Sequence, residues 1–243
     1  DWKKKYPVVN NNYKEKTKFL NSFDFINQLS LNLKGNETIV TDMGTSFTCT
    51  MQTFKIINPN SQRLFTSSGL ASMGFGLPGI IGAFFADQSK NPICISGEGG
   101  LMFNMQELQT VKNYNIPLKL FIIENRGYLT MKLMQKKNFS RIVGADPKSG
   151  VTFPSFEKLA KTFNFDYLKI KNANMEKNIQ YVLKSKKPII AEVNIHPYQE
   201  LIPRIQNRLN RDGSFNVPKF DDLYPHLSLE KLNLERLRAK NIK

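Results

Sequence analysis

Pro92-Ile93-Cys94-Ile95-Ser96-Gly97-Glu98-Gly99-Gly100 is an apolar run that breaks into a carboxylate framed by glycines. A second apolar run, Leu118-Lys119-Leu120-Phe121-Ile122-Ile123, ends just before Asn125. Short apolar runs bounded by turn residues read as strands buried on both faces. A carboxylate and an amide oxygen at two such strand ends, each close to glycine, suit a hard divalent cation. Such a cation usually holds a phosphorylated ligand.

Outward from these runs the chain alternates. Glu37-Thr38-Ile39-Val40-Thr41 and Arg63-Leu64-Phe65-Thr66 read as strands before them, and Asp166 to Ile170 and Pro188 to Asn194 as strands after them. Helical stretches are expected at Gly79 to Ala86, Asn104 to Tyr114, Phe156 to Phe163 and Met175 to Ser185. Six strands alternating with helices predict an α/β fold, a doubly wound, mostly parallel sheet with helices on both faces. Residues 1–36 read as a linker and a leading helix around Phe23 to Leu33, and 37–200 as the α/β domain. The tail, 201–243, carries Asp212-Gly213, Pro218 and Pro225 and reads as an irregular wrap ending in a helix, Leu229 to Ala239.

Asp42-Met43-Gly44-Thr45-Ser46, Ser67-Ser68-Gly69, Gly97-Glu98-Gly99-Gly100 and Glu124-Asn125-Arg126-Gly127 each follow a strand. In a parallel sheet all four loops converge on the carboxyl edge, where open α/β sheets bind ligands. Glu98, Asn125 and a carbonyl near Gly127 supply hard oxygens. Gly99 and Gly100 let backbone N–H groups approach phosphate, and the Thr45 and Ser46 hydroxyls are placed to reach the same phosphates. A short glycine motif alone is as readily a tight turn with a surface carboxylate. The strand context and the Asn125 partner favour the site. Gly74-Phe75-Gly76-Leu77-Pro78-Gly79 matches a dinucleotide fingerprint by spelling only. The intervening Ser67 to Met73 separates it from its strand, and Pro78 would crowd the helix start.

Bulk properties narrow the classes. The chain has 243 residues, enough for one large core, and two cysteines, Cys49 and Cys94, too few for a disulfide framework. Both fit a reducing, cytoplasmic setting. Asp1 in place of Met marks a fragment, a processed form or a trimmed chain, and Lys3-Lys4-Lys5 leads into polar sequence rather than a signal peptide. The uncharged run Gly69 to Ala86 contains five glycines and Pro78, which excludes a membrane span. The net charge of +15 comes from dispersed lysines without interleaved aromatics, which argues against nucleic acid. His196 and His226 lie away from the crevice loops and read as structural, and Lys132, Lys136 and Lys137 read as a solvated loop.

Ser67-Ser68-Gly69-Leu70-Ala71-Ser72-Met73-Gly74-Phe75-Gly76-Leu77-Pro78 resembles the cofactor loop of the acetolactate synthase-like thiamine diphosphate enzymes. Gly97-Glu98-Gly99 through Asn125 is similar to that family's thiamine diphosphate motif, and Trp2-Lys3 with Tyr6-Pro7 resembles its interdomain linker. The resemblance implies a C-terminal, diphosphate-binding domain. It implies Mg²⁺ (Mg2+) held by Glu98, Asn125 and the Gly127 carbonyl, and thiamine diphosphate contacted by Thr45, Ser46, Ala71, Ser72, Met73, Gly97, Gly99, Gly100, Tyr128 and Leu129. Met73 would be the apolar prop under the cofactor, and the Ala71 carbonyl would accept from its aminopyrimidine. The implied reaction decarboxylates a 2-oxo acid such as pyruvate and transfers the acyl carbanion to a carbonyl acceptor, the cofactor acting as electron sink. A simple 2-oxo acid decarboxylase, suggested by Gly44-Thr45-Ser46, and a non-catalytic cofactor-binding module are the alternatives.

By the same resemblance the acid–base glutamate comes from a pyrimidine-binding domain of a second subunit in a homo-oligomer. No catalytic residue is therefore assigned within this chain, and residues 1–243 alone are expected to be inactive. The family usually has Asp at Glu98 and Asn at Glu124. One added methylene moves the carboxylate by about 1.3 to 1.5 Å, so Mg²⁺ binding is expected to be retained but weakened. Met134 stands where acetolactate synthases carry a substrate-selecting Trp, which points to a different acceptor.

Overall fold

A computed structural model describes residues 2–9, 18–209 and 212–240. They fall into two compact units, Asp1–Gln199 and Glu200–Lys243. In the first unit, after a short helix α1 (Trp2–Lys5), come α2 (Ser22–Leu31), β1 (Glu37–Thr41), α3 (Thr45–Thr53), β2 (Arg63–Phe65), α4 (Gly76–Ala86) and β3 (Asn91–Gly97). They are followed by α5 (Glu98–Leu101), α6 (Leu108–Asn113), β4 (Lys119–Glu124), α7 (Leu129–Phe139), α8 (Phe156–Phe163), β5 (Asp166–Ile170), α9 (Met175–Lys184) and β6 (Ile189–Asn194).

The six strands form one sheet in the order β2-β1-β3-β4-β6-β5, with every neighbouring pair parallel. The expected α/β architecture is present. Successive residues feed opposite faces. Val40, Cys94, Leu120, Ile122 and Ile190 pack with Leu77 and Ile80 of α4, Val111 of α6 and Ala160 of α8. On the other face Phe121 meets Phe25 of α2, ring centroids 5.7 Å apart. The chain leaves β1 outward to β2 and then crosses to β3 on the opposite side. That reversal opens a crevice beyond the carboxyl ends of β1 and β3.

Register decides which loop residues meet. Gly97 of β3 pairs with Ile123 of β4, so Glu98 emerges beside Glu124 and Asn125. Most expected elements hold within two or three residues. Helix α4 begins at Gly76, and Pro78 sits in its first turn, where a missing N–H costs nothing, so Pro78 does not crowd the start. A Cβ at Gly76 would lie 3.2 Å from Cys94 Sγ, which assigns this glycine to close helix–strand packing. The expected helix from Asn104 opens with a 3₁₀ turn, Met105–Glu107, before α6.

The second unit contains β7 (Arg208–Leu209) and β8 (Phe215–Asn216), an antiparallel pair, then α10 (Leu229–Lys240). Arg208 is bonded to both carboxylate oxygens of Asp222 at 2.7 and 2.6 Å, and Arg236 likewise to Asp221 at 2.7 Å.

Lys119 opens β4 and is 3% exposed, with its ammonium donating to the Pro117 carbonyl at 2.6 Å. Burial, helped by the nearby Lys186, pulls its pKa down to about 8. The unfolded chain therefore holds a proton that the folded one sheds between about pH 8 and the ordinary lysine value, and stability rises with pH across that window. Lys119→Met is expected to raise stability at pH 7 by on the order of 2 kcal/mol. The difference from wild type should shrink toward pH 10.5 in parallel thermal melts; a constant difference would refute the assignment.

Candidate active site at the sheet switch point

The crevice is built from four strand ends. After β1, Asp42 is 1% exposed and gathers donors from three loops. It accepts from Met43 N (2.7 Å), from Gly74 N at both oxygens (3.0 and 3.2 Å) and from Ser96 Oγ (3.0 Å). A Cβ on Gly100 would lie 2.7 Å from Asp42 Oδ2, so Gly100 is glycine because this carboxylate fills the space. Burial raises the Asp42 pKa despite these bonds.

Glu98, 2% exposed, heads the one-turn helix α5. Its carboxylate reaches across to the next loop, accepting from Asn125 N at 2.8 Å and from Gly127 N. Burial first, then the neighbouring Glu124 charge, pushes its pKa up to about 8, against those N–H groups and Lys132. Asn125 is 3% exposed, and its Oδ1 is buried with no hydrogen-bond partner. A buried acceptor left unpaired costs about 1–3 kcal/mol. A cation there would relieve both the orphan oxygen and the buried carboxylate. Among the described residues no three His, Cys, Asp or Glu side chains cluster as a metal cage. The donor set is therefore one carboxylate, one amide oxygen and backbone, which fits a hard cation completed by ligand oxygens.

The remaining expected residues lie around this centre with differing commitments. Thr45 and Ser46 start α3, both buried. Ser46 Oγ donates to the Asp42 and Met43 carbonyls at 3.0 and 2.9 Å, so its proton serves the helix start instead of a phosphate. Ala71, Ser72 and Met73 are exposed on the loop before α4. Ala71 holds a left-handed φ of 54°, and Met73 is 38% exposed, which separates it from the core residue it resembles in sequence. Gly74 anchors that loop through Asp42 and through Asn104 Nδ2, which donates to its carbonyl at 2.9 Å. Gly97 faces open space. A Cβ on Gly99 would fall 2.1 Å from the Tyr128 ring, so the constraint on Gly99 is the packing of Tyr128. The Leu129 side chain is buried in the first turn of α7.

Three features escape sequence reasoning. Asp42 is the hub of the crevice, although it reads as an ordinary loop residue. Lys132 is 1% exposed on a helix where a solvated loop is expected. A cavity of about 670 Å³ opens beside Glu98, lined among others by Glu124, Tyr167, Lys169 and Glu192. There Glu192 accepts from Tyr167 Oη at 2.7 Å and from Lys169. Only the alternation of Tyr167 and Lys169 in β5 hints at it.

The geometry defines an α/β crevice at a sheet switch point, with a buried carboxylate beside an unpaired amide oxygen, and comparison with known proteins supplies its family. Residues 42–193 match the family described as thiamine pyrophosphate enzyme, C-terminal TPP binding domain, and the chain belongs to it. It is 30% identical over 167 residues to the acetolactate synthase large subunit of Porphyra purpurea, covering 68% of this chain and 28% of that protein. It is 32% identical over 175 residues to a probable acetolactate synthase large subunit of Methanococcus aeolicus (70% and 28%). With the acetolactate synthase large subunit of Lactococcus lactis it shares 29% over 192 residues (78% and 32%). The chain thus spans less than a third of the length of these relatives.

Asp42→Ala removes acceptors for Gly74, Ser96 and Met43 together. It is expected to cost about 2–4 kcal/mol in urea unfolding, and Ser96→Ala about 1 kcal/mol. Equal, small effects would show that Asp42 is not the hub.

Proposed function

We propose that this domain binds thiamine diphosphate with Mg²⁺ in an enzyme that decarboxylates a 2-oxo acid such as pyruvate and couples the acyl unit to a carbonyl acceptor. The observation that carries the reading is the unpartnered Asn125 Oδ1 beside the buried Glu98 at the switch point. Glu98, Asn125 and the Gly127 carbonyl would hold the cation. The N-terminal turn of α3 at Thr45 and the open face at Gly97 would meet the diphosphate. Met73 and Ala71 would meet the rings. When bound, the cofactor supplies the electron sink for loss of CO₂.

This chain's own part is binding, orientation and exclusion of water. Asp42 fixes the loop that carries Met73, and Glu98 fixes the loop that carries Asn125. The lip of the crevice is apolar and uncovered: Leu70, Met73, Met102 and Phe103 are all exposed. Leu70, at 88%, is strongly so for a loop residue beside a site. Such a lip suits a partner surface that closes the crevice. We assign that partner to the pyrimidine-binding domain of a second subunit, which would bring the acid–base glutamate in a cytoplasmic homo-oligomer. Met134, which stands where the resemblance expects a substrate-selecting Trp, is exposed on α7. This favours an acceptor other than a second 2-oxo acid. Among the described residues no helix is long and apolar enough to cross a membrane.

Calorimetry of thiamine diphosphate with Mg²⁺ against the full-length protein should show binding that Glu98→Ala weakens by at least about tenfold, the loss of one charge-assisted ligand. Absence of binding in the wild type would overturn the reading. Residues 1–243 alone should release no CO₂ from pyruvate. The full-length protein should yield C–C-coupled products, whereas acetaldehyde alone would replace the coupling reaction by simple decarboxylation.

A further inference from the structure

Lys132 is the least expected charge in the molecule. It lies one turn into α7, its backbone N–H donating to Tyr128 O at 2.9 Å, and its side chain is 1% exposed. The ammonium donates to the carbonyls of Asn125 (2.9 Å) and Arg126 (3.2 Å) and lies 5.1 Å from the centroid of the Tyr198 ring. No carboxylate is within ion-pair distance of it among the described residues. Burying an ammonium against two carbonyls and a ring face is costly, and a packed Met would avoid that cost. Helix propensity gives no reason for it either, since Met and Lys are nearly equal.

The same three-residue loop is held from its other side by Glu98, which takes the N–H groups of Asn125 and Gly127. The loop backbone is irregular, with Arg126 at φ 58° and Gly127 at φ 137°. A non-glycine residue in the left-handed region is held there only by its surroundings. Carboxylate to the N–H groups and ammonium to the C=O groups fix both peptide planes. With these four backbone groups engaged, Asn125 Oδ1 is left as a buried side-chain acceptor without a partner.

We propose that Lys132 is the positioning residue of the Asn125–Gly127 loop: its ammonium holds the carbonyl side while Glu98 holds the amide side, presenting the Asn125 side-chain oxygen to a divalent cation. The cation part of this inference rests on the function proposed above; the clamp itself does not. Coulomb's law alone gives the opposite sign, because a fixed positive charge close to a cation site weakens cation binding. Removal of Lys132 therefore separates the two roles by the direction of the change.

The test uses the full-length protein and its Lys132→Met, Lys132→Gln and Lys132→Arg variants. Hydrogen exchange without cofactor reads the clamp, and the expected result is at least about tenfold faster exchange of the Asn125–Gly127 amides in Lys132→Met, with Arg restoring protection. Mn²⁺ affinity in the presence of thiamine diphosphate, by electron paramagnetic resonance, reads the presentation. It should weaken by about tenfold or more in Lys132→Met. Lys132→Gln, which keeps donors without charge, should bind within a few-fold of wild type. Unchanged exchange, or Mn²⁺ binding that tightens in both neutral variants, overturns the proposal. A wild type that binds no Mn²⁺ overturns the proposed function instead, while the exchange result still decides the clamp. Should Lys132→Met fail to fold, Lys132→Gln decides between the roles: loop protection and Mn²⁺ affinity retained support positioning, and tighter binding refutes it.

Discussion

The Asp42 carboxylate lies one residue beyond β1, yet its partners come from the loop before α4, from the end of β3 and from its own loop. Its burial penalises the charge, and four converging N–H and O–H contacts reduce that penalty without cancelling it. Each of those donors belongs to a segment that contributes to the crevice. Gly74 closes the loop bearing Ala71 and Met73, and Ser96 precedes Gly97-Glu98. Gly100 can lie against the carboxylate only because it lacks a side chain. The strands bring the loops to one edge, and Asp42 turns that proximity into fixed geometry. This explains why an exposed, apolar loop such as 70–73 keeps a defined exit into α4 without a core of its own.

A second carboxylate does the equivalent for the other half of the site. Glu98 is raised by burial and by Glu124, and the neighbouring Lys132 is lowered by burial. In both groups desolvation outweighs the attraction between them. A pair arranged for stability alone would be in contact. Here the two charges grip opposite sides of one loop and leave an amide oxygen unpaired between them. That arrangement is poor for folding and well suited to receiving a cation, a local conflict of the kind found at functional sites.

Legibility followed burial. The central strands β3 and β4 carry apolar runs buried on both faces, and α8 matches its expected range to the residue, with Ser155 capping it in the structure. Helices α3 and α7 were not legible. Thr45–Thr53 is rich in hydroxyl and β-branched residues with weak helix propensity, and Leu129–Phe139 has scarcely any apolar stripe, because its helix is fixed by Lys132 and Leu129. For the site, the meeting of Glu98 with the Asn125 loop was readable from strand-end chemistry, and the structure brings the two together at 2.8 Å. The residues that position them, Asp42 and Lys132, were not, since their partners are backbone groups 32 and 7 positions away that spacing does not encode. At Gly99 and Gly100 the structure shows a packing reason for glycine that the sequence does not encode: Tyr128 and Asp42 fill the space a Cβ would take.

Glu98, where the family resemblance expects Asp, gains a different meaning from this geometry. A longer side chain displaces a carboxylate relative to any ligand held by the strand end, and an octahedral cation tolerates little displacement. In this fold, however, the carboxylate spans the gap to the Asn125 and Gly127 amides. The Asn125–Gly127 loop is therefore tied to the carboxylate itself. A longer Glu98 side chain moves the loop it holds, and the placement of Glu98 relative to Asn125 is fixed by these hydrogen bonds. Each carboxylate oxygen retains lone pairs beyond the one that accepts an N–H, so bracing the loop and ligating a cation are compatible roles for one side chain. What the added methylene alters is the distance from the Asn125–Gly127 loop to the loop before α4, which Asp42 holds through Gly74.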